Sequence, residues 1–174
     1  METHDKIIKL LSSDWVSEKT RAVITKRLLH PPMEPQFFTS FQFSFLTSII
    51  ESILPQKDES FRVDIAGEID LQISKNLNKG WRFAWSAPIK AMYIDGLNTI
   101  DKISLMEKGV KFIELPISEQ ESIIDDLYKK LEDGERSPLN NFLRELLVNI
   151  TEVYYSHPLV QLSIGINTWE DKRE

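Results

Sequence analysis

The sequence predicts an all-α fold: an irregular helical bundle with long connectors, an N-terminal helical arm and a non-regular C-terminal tail. Three observations carry this reading. Apolar residues recur at three- and four-residue spacing through most of the chain, no segment alternates apolar and polar residues as a half-buried strand does, and prolines stand where the periodic segments stop. The boundaries follow from the same marks: an arm over 1–35, a helical core over 36–158 and a tail over 159–174. At 174 residues the chain is long enough to bury a core without covalent staples.

Ile7, Ile8, Leu10 and Leu11 predict a short first helix that ends near Ser12-Ser13. Ser17 is placed to cap a helix reaching about Leu29, and His30-Pro31-Pro32-Met33-Glu34-Pro35 stops it as an extended connector. Thr39-Ser40-Phe41-Gln42 has the form of a capping box, with Phe38 and Phe43 as its hydrophobic staple. The helix that follows carries Phe41, Phe45, Ile49 and Ile53 on one stripe, widened by Leu46, Ile50 and Leu54, and Pro55 ends it. Phe61–Asn76 and Pro88–Lys108 predict two more helices, and Gly96 inside the second marks a close helix contact.

Gly109–Pro116 is too short for a helix, so Val110, Phe112 and Ile113 plug the core while the chain turns. Ser118-Glu119-Gln120-Glu121 reads as a second capping box, for a helix that buries Ile123, Ile124, Leu127, Tyr128 and Leu131 and stops at Asp133-Gly134. Pro138 opens the last long helix, which His157-Pro158 ends. The tail beyond has no clear period and holds Trp169.

Composition narrows the chemistry. There is no cysteine, hence no disulfide, thiol nucleophile or cysteine-ligated metal. The net charge is −6, and Glu119–Glu135 supplies seven acids against two lysines, the pattern of a solvated helix face and not of a nucleic-acid footprint. No apolar run reaches the roughly 18–20 residues that span a bilayer. Met1-Glu2-Thr3-His4-Asp5 has acids where a secretory signal has positive charge. A cytoplasmic protein is expected, periplasmic only if a partner exports it.

Active-site patterns are weak. The six glycines are isolated, so neither GxGxxG nor a phosphate loop can be built. His4, His30 and His157 stand apart with no ligand at metal-like spacing, and each reads first as a surface or capping histidine. His157, crowded by Tyr154, Tyr155 and Pro158, is the exception to weigh. A hydrolase using His157 with a nearby acid ranks last among the functional readings. Asp125 and Asp126 point about 100° apart on a helix and cannot share a proton. Asp64, Glu68 and Asp70 read as an ion-pair network with Arg62 or Arg82 before they read as a catalytic pair. Asn149-Ile150-Thr151 matches a glycosylation sequon, but within a largely buried helix it reads as chance. Trp15 and Trp85 are expected in the core.

The middle of the chain is the most distinctive stretch. Gly80-Trp81-Arg82-Phe83-Ala84-Trp85-Ser86-Ala87-Pro88 cannot be one regular element, and its aromatic and arginine content is that of an interface anchor. Trp81, Arg82, Tyr155, His157 and Trp169 are the candidate partner-binding residues. No residue is assigned to catalysis, cofactor or metal.

Several blocks, in order, resemble the gluconate 2-dehydrogenase subunit 3 family. They are Gln36-Phe37-Phe38-Thr39 with Ile53-Leu54-Pro55, Asp64-Ile65-Ala66 through Ile69-Asp70, and Gly80-Trp81-Arg82. Ala91–Leu97, Gly109–Leu115 and Tyr154-Tyr155-Ser156-His157-Pro158 with Ile164-Gly165 complete the set. The resemblance runs from about Leu10 to the tail. It implies a small helical subunit, without a cofactor of its own, that binds and stabilises a large FAD-dependent sugar dehydrogenase similar to glucose–methanol–choline oxidoreductases. The Gly-Trp-Arg and Tyr-Tyr-x-His-Pro blocks are similar to small subunits of glucoside 3-dehydrogenases. Through the large subunit the resemblance also implies a cytochrome or another electron acceptor. Many relatives open with a twin-arginine export signal, and this sequence has no such pair. The alternative from another class is a free-standing helical adaptor or regulator with a different partner.

Overall fold

The computed structural model of the chain describes residues 7, 9, 11–28, 33–56, 61–76, 88–132 and 137–166. These form seven α-helices and one 3-10 turn, with no strand among the described residues. The helices are α1 (Glu18–Leu28), α2 (Ser40–Ile53), α3 (Ile65–Ser74), α4 (Ile89–Lys108), α5 (Ile117–Glu132), α6 (Pro138–Tyr155) and α7 (Pro158–Ser163). The 3-10 turn, Phe112–Glu114, lies between α4 and α5.

Local chemistry sets the helix starts. At α2 the predicted capping box forms in full: Gln42 N–H donates to Thr39 Oγ1 at 3.3 Å, and Thr39 N–H donates to Gln42 Oε1 at 3.0 Å. Ser137 Oγ caps α6 through Asn140 N–H, and Ser17 Oγ accepts from Thr20 N–H at the start of α1. Gly109, at φ +77°, closes α4 in the left-handed conformation that a side chain would strain.

Three helix starts differ from expectation. α3 begins at Ile65 and not at Phe61, because Gln56 pairs with both backbone groups of Val63, accepting from its N–H at 2.7 Å and donating to its carbonyl at 2.9 Å. That pairing holds the entry to the helix, and Asp64 then caps it through Gly67 N–H at 2.9 Å. α5 begins at Ile117, ahead of the expected second capping box. Gln120 there points inward, donating to the Leu115 carbonyl and accepting from Ser48 Oγ at 2.6 Å. The segment after His157-Pro158 opens with α7, which His157 caps and Pro158 starts; at six residues it is too short to show a period.

The core lies between α2, α3, α4, α5 and α6, and Phe112 of the 3-10 turn plugs it with no exposure, as expected. Val110 beside it remains partly in solvent. Tyr93 and Phe142, both fully buried, meet edge to face at 5.2 Å where α4 crosses α6. Gly96 is the close contact its position predicts: a Cβ there would lie inside the van der Waals envelope of the Phe142 ring. Asn149 reaches the same layer and donates to Tyr93 Oη at 2.9 Å.

A smaller cluster of Ile7, Leu11, Val16 and Ile24 is covered by Leu159 and Leu162, so the two ends of the described chain pack on one another. Trp15 does not join it. Val16 takes the inward place in that turn and Trp15 stands about half exposed, against the expectation of a core tryptophan. Phe41, expected on the core stripe of α2, is also about half exposed and carries Lys111 over its ring. Trp85 and the stop at Asp133-Gly134 lie outside the described residues.

Candidate partner-binding site

The expected acidic network is built for another purpose. Asp70 is 1 % exposed, and its carboxylate accepts from the backbone N–H groups of Gln36 (2.6 Å), Phe37 (3.0 Å) and Phe38 (2.8 Å). Asp64 accepts from Met33 N–H at 2.7 Å as well as capping α3. Arg62 pairs with Glu51 and not with these groups. The two aspartates therefore hold the 33–38 connector against α3 through charge-assisted bonds to its backbone. A carboxylate with several N–H donors needs no cation to be stable in place.

Where α1, α3, α6 and α7 meet, two adjoining clefts of about 180 Å³ and 220 Å³ open to solvent. Arg27, Val63, Glu68 and His157 form the wall common to both. Arg27 Nη1 donates to the Ser156 carbonyl at 3.1 Å. His157 Nδ1 accepts from Leu159 N–H at 3.4 Å as the cap of α7, and the ring also hydrogen-bonds the Arg27 backbone. Burial, with the Arg27 charge adding to it, holds the His157 pKa below the ordinary 6.5 against the opposing pull of that backbone bond. The imidazole is thus a neutral structural pin with its nitrogens engaged, poorly placed for the proton transfer a hydrolase would need.

Tyr155 ends α6 about half exposed, with Tyr154 edge-on at 5.2 Å. It stands outside the clefts, two residues from His157, and offers an aromatic face to solvent. Trp81, Arg82 and Trp169 lie outside the described residues, as do His4 and His30. Among the described residues no group of three His, Asp or Glu side chains is placed to hold a metal ion. No described helix is long and apolar enough to cross a membrane.

The sequence reading missed Arg27 and Glu68 as parts of the site. Arg27 gave no signal, being one of two basic residues at the end of a surface helix. Glu68 was read only as a member of the acidic network.

A family model described as gluconate 2-dehydrogenase subunit 3 matches residues 40–170. The chain belongs to that family. The gluconate 2-dehydrogenase subunit 3 match takes in α2 through α7, hence the core and three of the four helices around the clefts. It also takes in all five candidate residues, Trp81, Arg82, Tyr155, His157 and Trp169. α1 and Arg27 lie before it. As a family of dehydrogenase subunits, it implies a dehydrogenase partner. Searches of curated proteins and of solved structures gave no match.

Proposed function

We propose that this chain is the non-catalytic small subunit of an FAD-dependent sugar dehydrogenase of the glucose–methanol–choline type, and that it acts by binding and stabilising the large subunit. The family match over residues 40–170 carries the reading. Two features of the fold support it. The polar groups best placed for chemistry, Asp64, Asp70, Gln120 and His157, are occupied with backbone partners. Large apolar side chains meanwhile stand in solvent, among them Met106, Ile117, Val148 and Tyr155.

In this account FAD and hydride transfer belong to the large subunit, which passes electrons on to a cytochrome or another acceptor. The sugar class is that of glucoside 3-dehydrogenases. Tyr155 and His157, with Trp81, Arg82 and Trp169, contact the large subunit. The complex is cytoplasmic unless the large subunit carries the export signal.

The test is co-expression of the tagged chain with the flavoprotein encoded beside it, purification on the tag, and a visible spectrum. A yellow complex that bleaches with a glycoside supports the reading. A colourless chain that retains no flavoprotein overturns it. Unchanged complex yield after Trp81→Ala with Arg82→Ala would remove that corner as an anchor.

A further inference from the structure

A third cavity, of about 120 Å³, lies on another part of the surface, between α4 and the first turn of α6. By volume it holds about four waters, or the stem of one side chain. Its floor is apolar: Met92, Gly96, Pro138 and Leu139. Gly96 contributes only backbone to it, since the Phe142 ring occupies the place a Cβ would take.

Its mouth carries two polar groups, Asp95 and Asn141. Neither the Asp95 carboxylate nor the Asn141 carboxamide has a hydrogen-bond or ion-pair partner among the described residues. The third polar side chain, Thr99, is already turned to the Asp95 carbonyl at 2.7 Å. An apolar socket with a solvent-exposed, unpaired carboxylate at its rim is complementary to a partner side chain that has an apolar stem and a cationic head.

Resting on the subunit reading above, we infer that this socket receives an arginine of the large dehydrogenase subunit. The stem lies on Met92, Pro138 and Leu139, and the guanidinium meets Asp95 and the Asn141 side-chain oxygen. Arginine satisfies the site better than its rivals. Its planar head supplies five N–H donors, enough for both acceptors, and is weakly hydrated and so cheaply buried. An indole has one donor and leaves an acceptor unmet. A lysine ammonium keeps its water more firmly and does not match a carboxylate along two bonds. The positive end of α6 opposes a cation here only weakly. Pro138 has no N–H, and Ser137 already takes that of Asn140. A full carboxylate charge outweighs what remains.

The test is binding of the purified large subunit to the wild-type chain, Asp95→Asn, Asp95→Arg and Asn141→Ala, with the Tm of each chain measured alone. Asp95 is exposed, so its variants keep their Tm. Asp95→Asn is expected to raise Kd about tenfold, and Asp95→Arg more. One arginine of the large subunit is expected to be protected from phenylglyoxal in the wild-type complex and to react in the Asp95→Arg mixture. Wild-type binding with all three variants within about twofold, or with no protected arginine, overturns the socket and leaves the subunit reading standing. A wild-type chain that binds no flavoprotein overturns both.

Discussion

Arg27 reaches the Ser156 carbonyl at 3.1 Å across 129 residues of sequence. The contact joins the last turn of α1 to the corner between α6 and α7, and His157 returns a bond to the Arg27 backbone. The N-terminal helix is therefore fastened at the same corner that carries Tyr155 and His157, and its position is coupled to the proposed docking surface.

That corner is predicted to be acid-sensitive. The unfolded imidazole titrates near 6.5 and the folded one lower. As pH falls, the unfolded chain takes up the proton first, so stability is complete above the unfolded value and is lost as pH drops through the folded one. Arg27 reinforces the effect, and Glu68 and Glu152 on the same cleft wall do not reverse it. Thermal melts from about pH 8 to about pH 5 should show Tm falling below about 6.5. His157→Asn keeps a capping side chain and should flatten that slope.

Asp70→Asn is expected to destabilise the chain by about 3 kcal/mol, since one oxygen and an N–H₂ group replace a buried carboxylate that serves three backbone donors. Urea unfolding followed by circular dichroism measures it. A loss under about 0.5 kcal/mol, the range of an ordinary surface change, would show that the connector is held by other means.

Gly96→Ala should also destabilise, by about 2 kcal/mol, although alanine favours a helix by about 1 kcal/mol over glycine. The added methyl meets the Phe142 ring, which is fully buried. A second variant, Gly96→Ala with Phe142→Leu, should recover part of the loss in the same unfolding experiment.

Tyr155→Ala should separate folding from docking. The ring is about half exposed and touches Tyr154 edge-on, so Tm should shift little. Affinity for the large subunit should fall about tenfold or more if this aromatic face is an anchor. Unchanged affinity would remove Tyr155 from the interface.

The helices were legible where the signals were local. The capping box at Thr39, the proline at the head of α6, the glycine after α4 and, Phe41 aside, the apolar stripe of α2 stand in the sequence as they do in the fold. The α3 start was hidden because a glutamine outside the helix, Gln56, sets it. The Asp70 clamp was half legible. Ala66, Ile69, Asp70 and Ile73 share one helical stripe, so burial of Asp70 follows from spacing, but its partners on residues 36–38 do not. Phe41 was misplaced because a large apolar residue at a helix edge is favoured by the stripe and not required by it, and Trp15 because it lies in the turn before α1, where Val16 takes the inward place. In the candidate site, His157-Pro158 was readable as the end of α6, although the helix it also starts was not expected. Arg27 was not, since a bond made across 129 residues leaves no periodic trace.

The most direct measurement is sedimentation velocity of this chain mixed with the purified large subunit, followed at the flavin absorbance and at the protein absorbance. The account predicts one boundary that carries both signals and moves faster than the flavoprotein alone. Two independent boundaries, with all the flavin in that of the large protein alone and none on a joint species, would contradict it.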